Sequence, residues 1–420
     1  PIGGVISDPH AAWRYGLMSG AIPAIPLIVI RPFLPESPIW KQRREAGTLK
    51  RASFREIFSP KYRKATIVAT IMFACSYGIA FGALQQTPRM IDGVPSIKKE
   101  VAEAKGSAMK TAIGEWKKAQ GPIINSADLN GKTPEQIGKM LTTQFTNHFE
   151  KRKNAVEKQR EAAQDEEKIK QLGLEYLALR AVSDGLPKLS GMIQAQMGKD
   201  KKDGWDEAAQ KASVGKAADN YLNSRKKIVA IRASRAVKDP AAANAQKIQE
   251  IGGLLGRFLL AFLILRFASR RSLFRLFMIP ALIAILATYL FLYEQNEVML
   301  WIGVFFAGLF TVGQFSFWGN YLPTQYPVHL RGTGATFAAN IGGRVFGTLC
   351  AAISITLAGT VFVPAGHTGP PPPSAFAMSA AVTGGAVCLL GLIMSYFLPE
   401  PSEEVEQDAQ ADALGVGVTR

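Results

Sequence analysis

The chain has 420 residues, of which 48% are hydrophobic and 20% charged, with a net charge of +16. Such a balance would suit a basic soluble protein on nucleic acid if the two classes were mixed, but apolar runs fill 12–34, 65–84 and most of 248–398, while charge gathers in 41–64 and 92–247. A helix needs about 20 mostly apolar residues to cross a hydrocarbon core of about 30 Å, so the segregation argues against a nucleic-acid binder and for a polytopic, all-α membrane protein carrying a soluble insertion.

The chain opens with PIGGVISDPHAAW, which lacks the basic start and cleavage site of a signal peptide. Tyr15 to Leu34 is the first expected span, with Pro23 and Pro26 as a kink whose freed carbonyls neighbouring helices would satisfy. Nine Lys or Arg follow between Lys41 and Lys64. A short loop this basic stays on the cytoplasmic side, and its amphipathic FREIF piece is expected to lie along the membrane surface.

Ala65 to Leu84 is the second expected span, with Tyr77, Gln85 and Gln86 as weaker polar candidates toward its outer end. From Asp92 to Lys247 the composition turns to Ala, Lys, Glu and Gln, with 29 Lys or Arg against 20 Asp or Glu. Apolar residues recur there at helical spacing, Asp128 and Thr133 read as N-caps, and Trp116, Phe145, Phe149, Leu174, Tyr176, Leu177, Trp205 and Tyr221 are the expected core of a small helical domain. Parity of crossings puts this domain outside the cytoplasm, since long domains translocate largely regardless of charge.

Five more spans are expected over 248–266, 273–293, 298–321, 335–363 and 374–398. The basic turns at Arg266 to Arg275 and His329 to Arg331 then fall on the inner side, as the loop 41–64 does. Cys75, Cys350 and Cys388 lie inside apolar runs as small hydrophobes. The spacing of His and Cys fits no metal site, and neither a nucleotide-binding loop nor a catalytic grouping is present, so no cofactor and no enzymatic activity are expected.

Three stretches carry a resemblance. LPESPIW at Leu34 to Trp40, after the WRYGL that opens the first span, is similar to the close of the amino-terminal half in the major facilitator superfamily, including its sugar-porter and aromatic-acid or metabolite symporter branches. YPVHLRGTG at Tyr326 to Gly334, followed by NIGGR at Asn340 to Arg344, resembles that family's link between its tenth and eleventh spans, and RFASRR at Arg266 to Arg271 its basic motif between the eighth and ninth. Two acids of the family's pattern are replaced here, by Thr324 and Leu265, which leaves the gating networks built on them without a carrier. The resemblance implies the carboxyl-terminal six-helix half of a major facilitator fold plus the preceding span. The expected division is therefore a last amino-terminal span over 1–34, a central loop over 35–64, span seven over 65–87, the helical insertion over 88–247, spans eight to twelve over 248–398 and an acidic cytoplasmic tail over 399–420. Five further amino-terminal spans are expected in the full-length protein.

Polar groups within spans are functional candidates by default. Gln314, Trp318 and Tyr321 at i, i+4 and i+7 share one face of the tenth span, either to bind a polar ring-shaped solute or as an interhelical hydrogen bond with interfacial aromatics. Asn340 and Arg344 share a face of the eleventh, where Arg344 would meet a substrate carboxylate or brace backbone carbonyls. Arg257 in the eighth span would meet substrate or an acid of the other half. Gly343, Gly347 and Ala351, like Gly252 and Gly256, form small-residue faces that read as close helix packing. The resemblance implies a secondary carrier in the cell (inner) membrane, and a small polar organic solute, a sugar or organic acid, taken up by proton-coupled alternating access, is the expected cargo. Its partners would be that small-molecule substrate and the lipid bilayer, with no nucleic acid. The competing expectation is a non-transporting receptor or scaffold whose working part is the domain 88–247.

Overall fold

Helix is the only regular structure among the residues that the computed structural model describes: 12–22, 24–33, 38–47, 52–201, 205–267 and 269–400. In chain order the helices are α1 (Ala12–Ser19), α2 (Ala24–Ile30), α3 (Pro38–Glu45), α4 (Arg63–Gly82), α5 (Thr87–Met90), α6 (Pro95–Ser126), α7 (Pro134–Ala162), α8 (Glu166–Ser183) and α9 (Pro187–Asp200). They continue with α10 (Glu207–Leu263), α11 (Arg270–Leu290), α12 (Glu297–Thr311), α13 (Phe315–Tyr321) and α14 (Arg331–Phe337). A π-helix, Ala338–Gly347, leads into α15 (Thr348–Thr360), and α16 (Pro373–Ser395) follows.

Five helical stretches among the described residues are long and apolar enough to cross a membrane: Arg63–Gly93, Arg270–Glu294, Glu297–Gln325, Arg331–Thr360 and Pro373–Ser395. Seven were expected, and the two others differ for separate reasons. The stretch 15–34 is divided into the short helices α1 and α2, between which Pro23 lies outside the described residues. The stretch 248–266 is not a separate helix at all. It is the end of α10, whose 57 residues correspond to about 85 Å at about 1.5 Å per residue, and Lys247, Glu250 and Arg257 dilute its apolar character. No break occurs near 247 because AAANAQKIQE, with four Ala, two Gln, a Lys and a Glu in ten residues, is rich in good helix formers that carry the ladder from a charged sequence into an apolar one.

The chain divides into two compact units, 68–318 with 338–398 and 1–67 with 319–337 and 399–420. Within the larger unit, α6 to α10 form a helical domain with its own core. Trp116, Phe145, Phe149 and Tyr221 are almost fully buried and mutually packed, with Trp116 centred 4.7 Å from Phe145 and 5.0 Å from Tyr221. Leu174, Tyr176 and Trp205 pack on this core half-buried, and Leu177 is not part of it. Buried Glu115 is compensated by Lys118 at 2.8 Å and Arg152 at 3.4 Å, and Arg152 reaches Glu175 at 2.7 Å. An uncompensated carboxylate there would be expensive.

Turn chemistry fixes the helix ends. Thr133 caps α7 through a reciprocal pair, its hydroxyl accepting from the Gln136 amide while the Gln136 side chain accepts from the Thr133 amide. Asp128, expected as an N-cap, instead closes the preceding turn. Its carboxylate accepts from the Asn130 amide at 3.1 Å and from Lys132 at 3.0 Å, an arrangement that a short acidic side chain offers any turn.

Glycine sets the distance between the apolar helices of this unit. A Cβ on Gly252 would lie 2.2 Å from the Phe305 carbonyl oxygen, one on Gly256 2.0 Å from that of Leu309, and one on Gly308 2.2 Å from that of Gln249. Helices α10 and α12 therefore meet backbone to backbone. The π-helix meets α4 in the same way through Gly342 and Gly347, whose added Cβ atoms would lie 2.2 Å from the Thr70 carbonyl oxygen and 2.4 Å from the Tyr77 Cβ. At the other end of the bundle Arg271 and Arg275 of α11 serve the end of α16, donating to the Leu398 carbonyl at 2.6 Å and the Ser395 hydroxyl at 2.9 Å.

In the smaller unit Ile57, Tyr326 and Leu330 form a buried cluster. Thr66 donates to the Ile57 carbonyl at 2.7 Å and accepts from the Tyr326 hydroxyl at 3.0 Å, while His329 meets Glu56 at 3.1 Å. Phe54 and Phe58 of the FREIF segment remain partly exposed, and both rings stack edgewise on Phe337.

Candidate functional site

Gln314 sits where the apolar stretch Glu297–Gln325 breaks, between the end of α12 at Thr311 and the start of α13 at Phe315. Its amide donates at 2.8 Å to the Phe310 carbonyl, one of those a helix end leaves without an intrahelical partner. Its oxygen accepts from the Ser76 hydroxyl of α4 at 3.4 Å, and that same hydroxyl accepts the indole N–H of Trp318 at 3.0 Å. Gln314 and Trp318 are thus brought together as the i, i+4 spacing implies, and Ser76 joins them. Both are buried at 0% and 2% exposure, and the Trp318 ring lies between Phe73 at 5.2 Å and Phe274 at 5.6 Å. Their polar atoms tie α4 to the α12–α13 break, a role that a buried amide and indole need to offset desolvation.

Tyr321, the third member of the expected face, belongs to the smaller unit, where its hydroxyl donates to the Pro399 carbonyl at 2.7 Å. Among the weaker candidates, Tyr77 stacks in a row with Phe73 and Phe81 and touches the Phe315 ring at 4.8 Å. Gln86 is buried and donates to the Phe81 carbonyl, while Gln85 is exposed.

Asn340 and Arg344 both lie in the π-helix, Asn340 half-buried and Arg344 exposed. A π-helix within an α-helical span is uncommon and concentrates at functional positions. The glycines that seat this segment against α4 leave the Arg344 side on the surface of the unit. Arg257 is likewise exposed, on the side of α10 away from the glycine contact with α12. Neither guanidinium has an ion-pair or hydrogen-bond partner among the described residues.

Both cations sit among exposed apolar side chains. Phe258 beside Arg257 is 66% exposed, and Phe346 close to Arg344 is 55% exposed. A cation on such a face is costly against hydrocarbon, so each needs a water-filled cavity, an anionic ligand or a covering protein surface. Ser76 and the π-helix are the elements that sequence reasoning missed. The serine is one small hydroxyl in an apolar run, and the only signal for the π-helix is the glycine density of NIGGR. No protein-family model matches the chain, and neither curated proteins nor solved structures give a match.

Proposed function

We propose that this chain is the carboxyl-terminal portion of a secondary carrier of the major facilitator type, resident in the cell membrane. It takes up a small polar organic solute, a sugar or organic acid, by proton-coupled alternating access between two halves about a midplane site. Five helices of spanning length and apolarity among the described residues support a membrane protein. The observation that carries the carrier reading is the pair Arg257 and Arg344, exposed cations without partners on apolar helix faces. A second half with a wet cavity between them accounts for both; a lipid-facing surface accounts for neither. Asn340 and Arg344 in the π-helix are the substrate-facing groups in this reading, with Arg257 across from the other half. Gln314 and Trp318 hold α4 against the α12–α13 break beside that cavity.

The reading as a receptor or scaffold keeps one observation in its favour, the separate aromatic core of α6 to α10 carried on a continuous helix. Uptake of a panel of labelled sugars and organic acids by cells expressing the full-length protein decides between them. The carrier reading expects accumulation of at least one solute, abolished by a protonophore. It also expects Arg344→Gln to lower that uptake about tenfold or more at equal membrane abundance, as loss of a charge-assisted hydrogen bond to the solute does. Accumulation no higher than in cells without the protein, across the whole panel, would leave the receptor or scaffold.

A further inference from the structure

Helix α6 shows an outward face that the helical domain does not use. Lys99, Lys110 and Lys117 stand 11 and 7 residues apart, close to whole numbers of helical turns, so the three lie in one row. At about 1.5 Å per residue the row is about 27 Å long. All three are exposed, and none has an ion-pair or hydrogen-bond partner among the described residues. Gly106, Gly114 and Gly121 lie on the same side, and a Cβ on any of them would meet nothing within 4 Å. The packing of the domain therefore explains neither the lysines nor the bare helix surface between them. Glu103 is the one acid in the row. The other carboxylates of the helix are engaged, Glu100 by Lys170 and Glu115 by Lys118 and Arg152.

The direction of the row limits what covers it. Helix α6 packs along α10, and α10 continues into the apolar residues that clasp α12, so α6 extends away from the apolar bundle. A bilayer surface meets the Lys99 end of such a row and misses Lys117, whereas a linear polymer lying along the helix meets all three. The face also lacks aromatic side chains, since the one aromatic residue of α6, Trp116, is buried in the core. Stacking platforms are the usual means of holding single-stranded nucleic acid. An excess of nine positive charges over 92–247, from 29 basic and 20 acidic residues, favours an anionic partner at longer range.

We propose that the Lys99, Lys110 and Lys117 face of α6 docks an acidic polysaccharide running along the helix. The full chain in detergent, or in discs of zwitterionic lipid, is titrated with fluorescently labelled polygalacturonate. Binding is expected at low salt and is expected to weaken steeply as salt rises. The triple variant Lys99→Glu, Lys110→Glu, Lys117→Glu should lose about tenfold or more in affinity. A control triple with the same charge change on other faces, Lys151→Glu, Lys158→Glu, Lys188→Glu, should lose less than about threefold, with circular dichroism confirming that both remain helical. Equal losses in the two triples would reduce the effect to net charge and overturn the proposal. So would absence of binding by the unaltered chain, or a dependence on the three lysines that appears only with anionic lipid vesicles or with RNA as the probe.

Discussion

A Cβ at Gly256 would sit 2.0 Å from the Leu309 carbonyl oxygen, while one at Gly173 in α8 would touch nothing within 4 Å. The same Gly→Ala change therefore has opposite signs at the two sites. Gly173→Ala should raise the stability of the helical domain by about 0.5–1 kcal/mol, because glycine in a helix interior loses more chain entropy than alanine. Gly256→Ala should lower the thermal midpoint of the purified protein, because the backbones of α10 and α12 must separate to admit the methyl group. A thermal melt of both variants checks the pair, and a stable Gly256→Ala protein would contradict the close approach. The small-residue faces were legible from spacing alone, whereas their partners Gly308 and Gly313 were not, since nothing in a sequence says which helix lies opposite. Ser76 was illegible for a related reason: its importance comes from Gln314 and Trp318, more than two hundred residues away. Asp128 carries a pH signature. Its hydrogen bond from Lys132, then that from the Asn130 amide, holds its carboxyl below the ordinary carboxylate range. A carboxyl depressed in the folded state contributes stability above its unfolded pKa and loses that contribution as pH falls through the folded value. Asp128→Asn should therefore flatten the loss of domain stability on acidification and leave the slope at alkaline pH unchanged, as denaturation at a series of pH values would show.

At the scale of elements, the start of α7 was readable because TPEQ places a hydroxyl, a proline and an amide where a helix N-terminus uses each of them. Thr133→Ala should cost about 1 kcal/mol, a loss that Thr133→Ser largely restores, measured by urea denaturation of the full chain. An unchanged midpoint would mean that the cap is not formed. Helix α10 was legible in pieces and not as a whole. Its amino-terminal part reads as a surface helix of a soluble domain and its end as a membrane span, and pattern analysis divides such a run where composition changes. The backbone responds to local propensity and continues, with Pro240 tolerated inside it. That continuity has a mechanical consequence. The domain is joined to the apolar bundle by helix, by the Asp92–Lys238 ion pair and by Gly93, where a Cβ would lie 2.8 Å from Pro373. The stretch 15–34 differs in another way, since its hydropathy suits one span while its described residues form two short helices, α1 and α2.

For the whole molecule, the segregation of charge was the most informative feature of the sequence, and it agrees with the five apolar helices of spanning length and the charged helical domain found among the described residues. Burial explains why the candidate site was harder to read. Spacing placed Gln314 and Trp318 on one face, but a shared face is as useful for binding helices together as for binding a solute, and the Ser76 hydroxyl that both side chains meet is not legible from spacing. The exposed cations Arg257 and Arg344 point toward a covering surface that the described residues do not supply. We propose that the basic loops are cytoplasmic and that the helical domain lies on the opposite side of the membrane, and single cysteines test this most directly. They are placed at Ser126, exposed at the end of α6, and at Ser402 in the acidic tail, in full-length protein lacking Cys75, Cys350 and Cys388. A membrane-impermeant thiol reagent is applied to intact cells freed of any outer barrier. The account predicts labelling at Ser126→Cys and none at Ser402→Cys until the membrane is opened. The reverse pattern, or equal labelling at both positions in sealed cells, would contradict it.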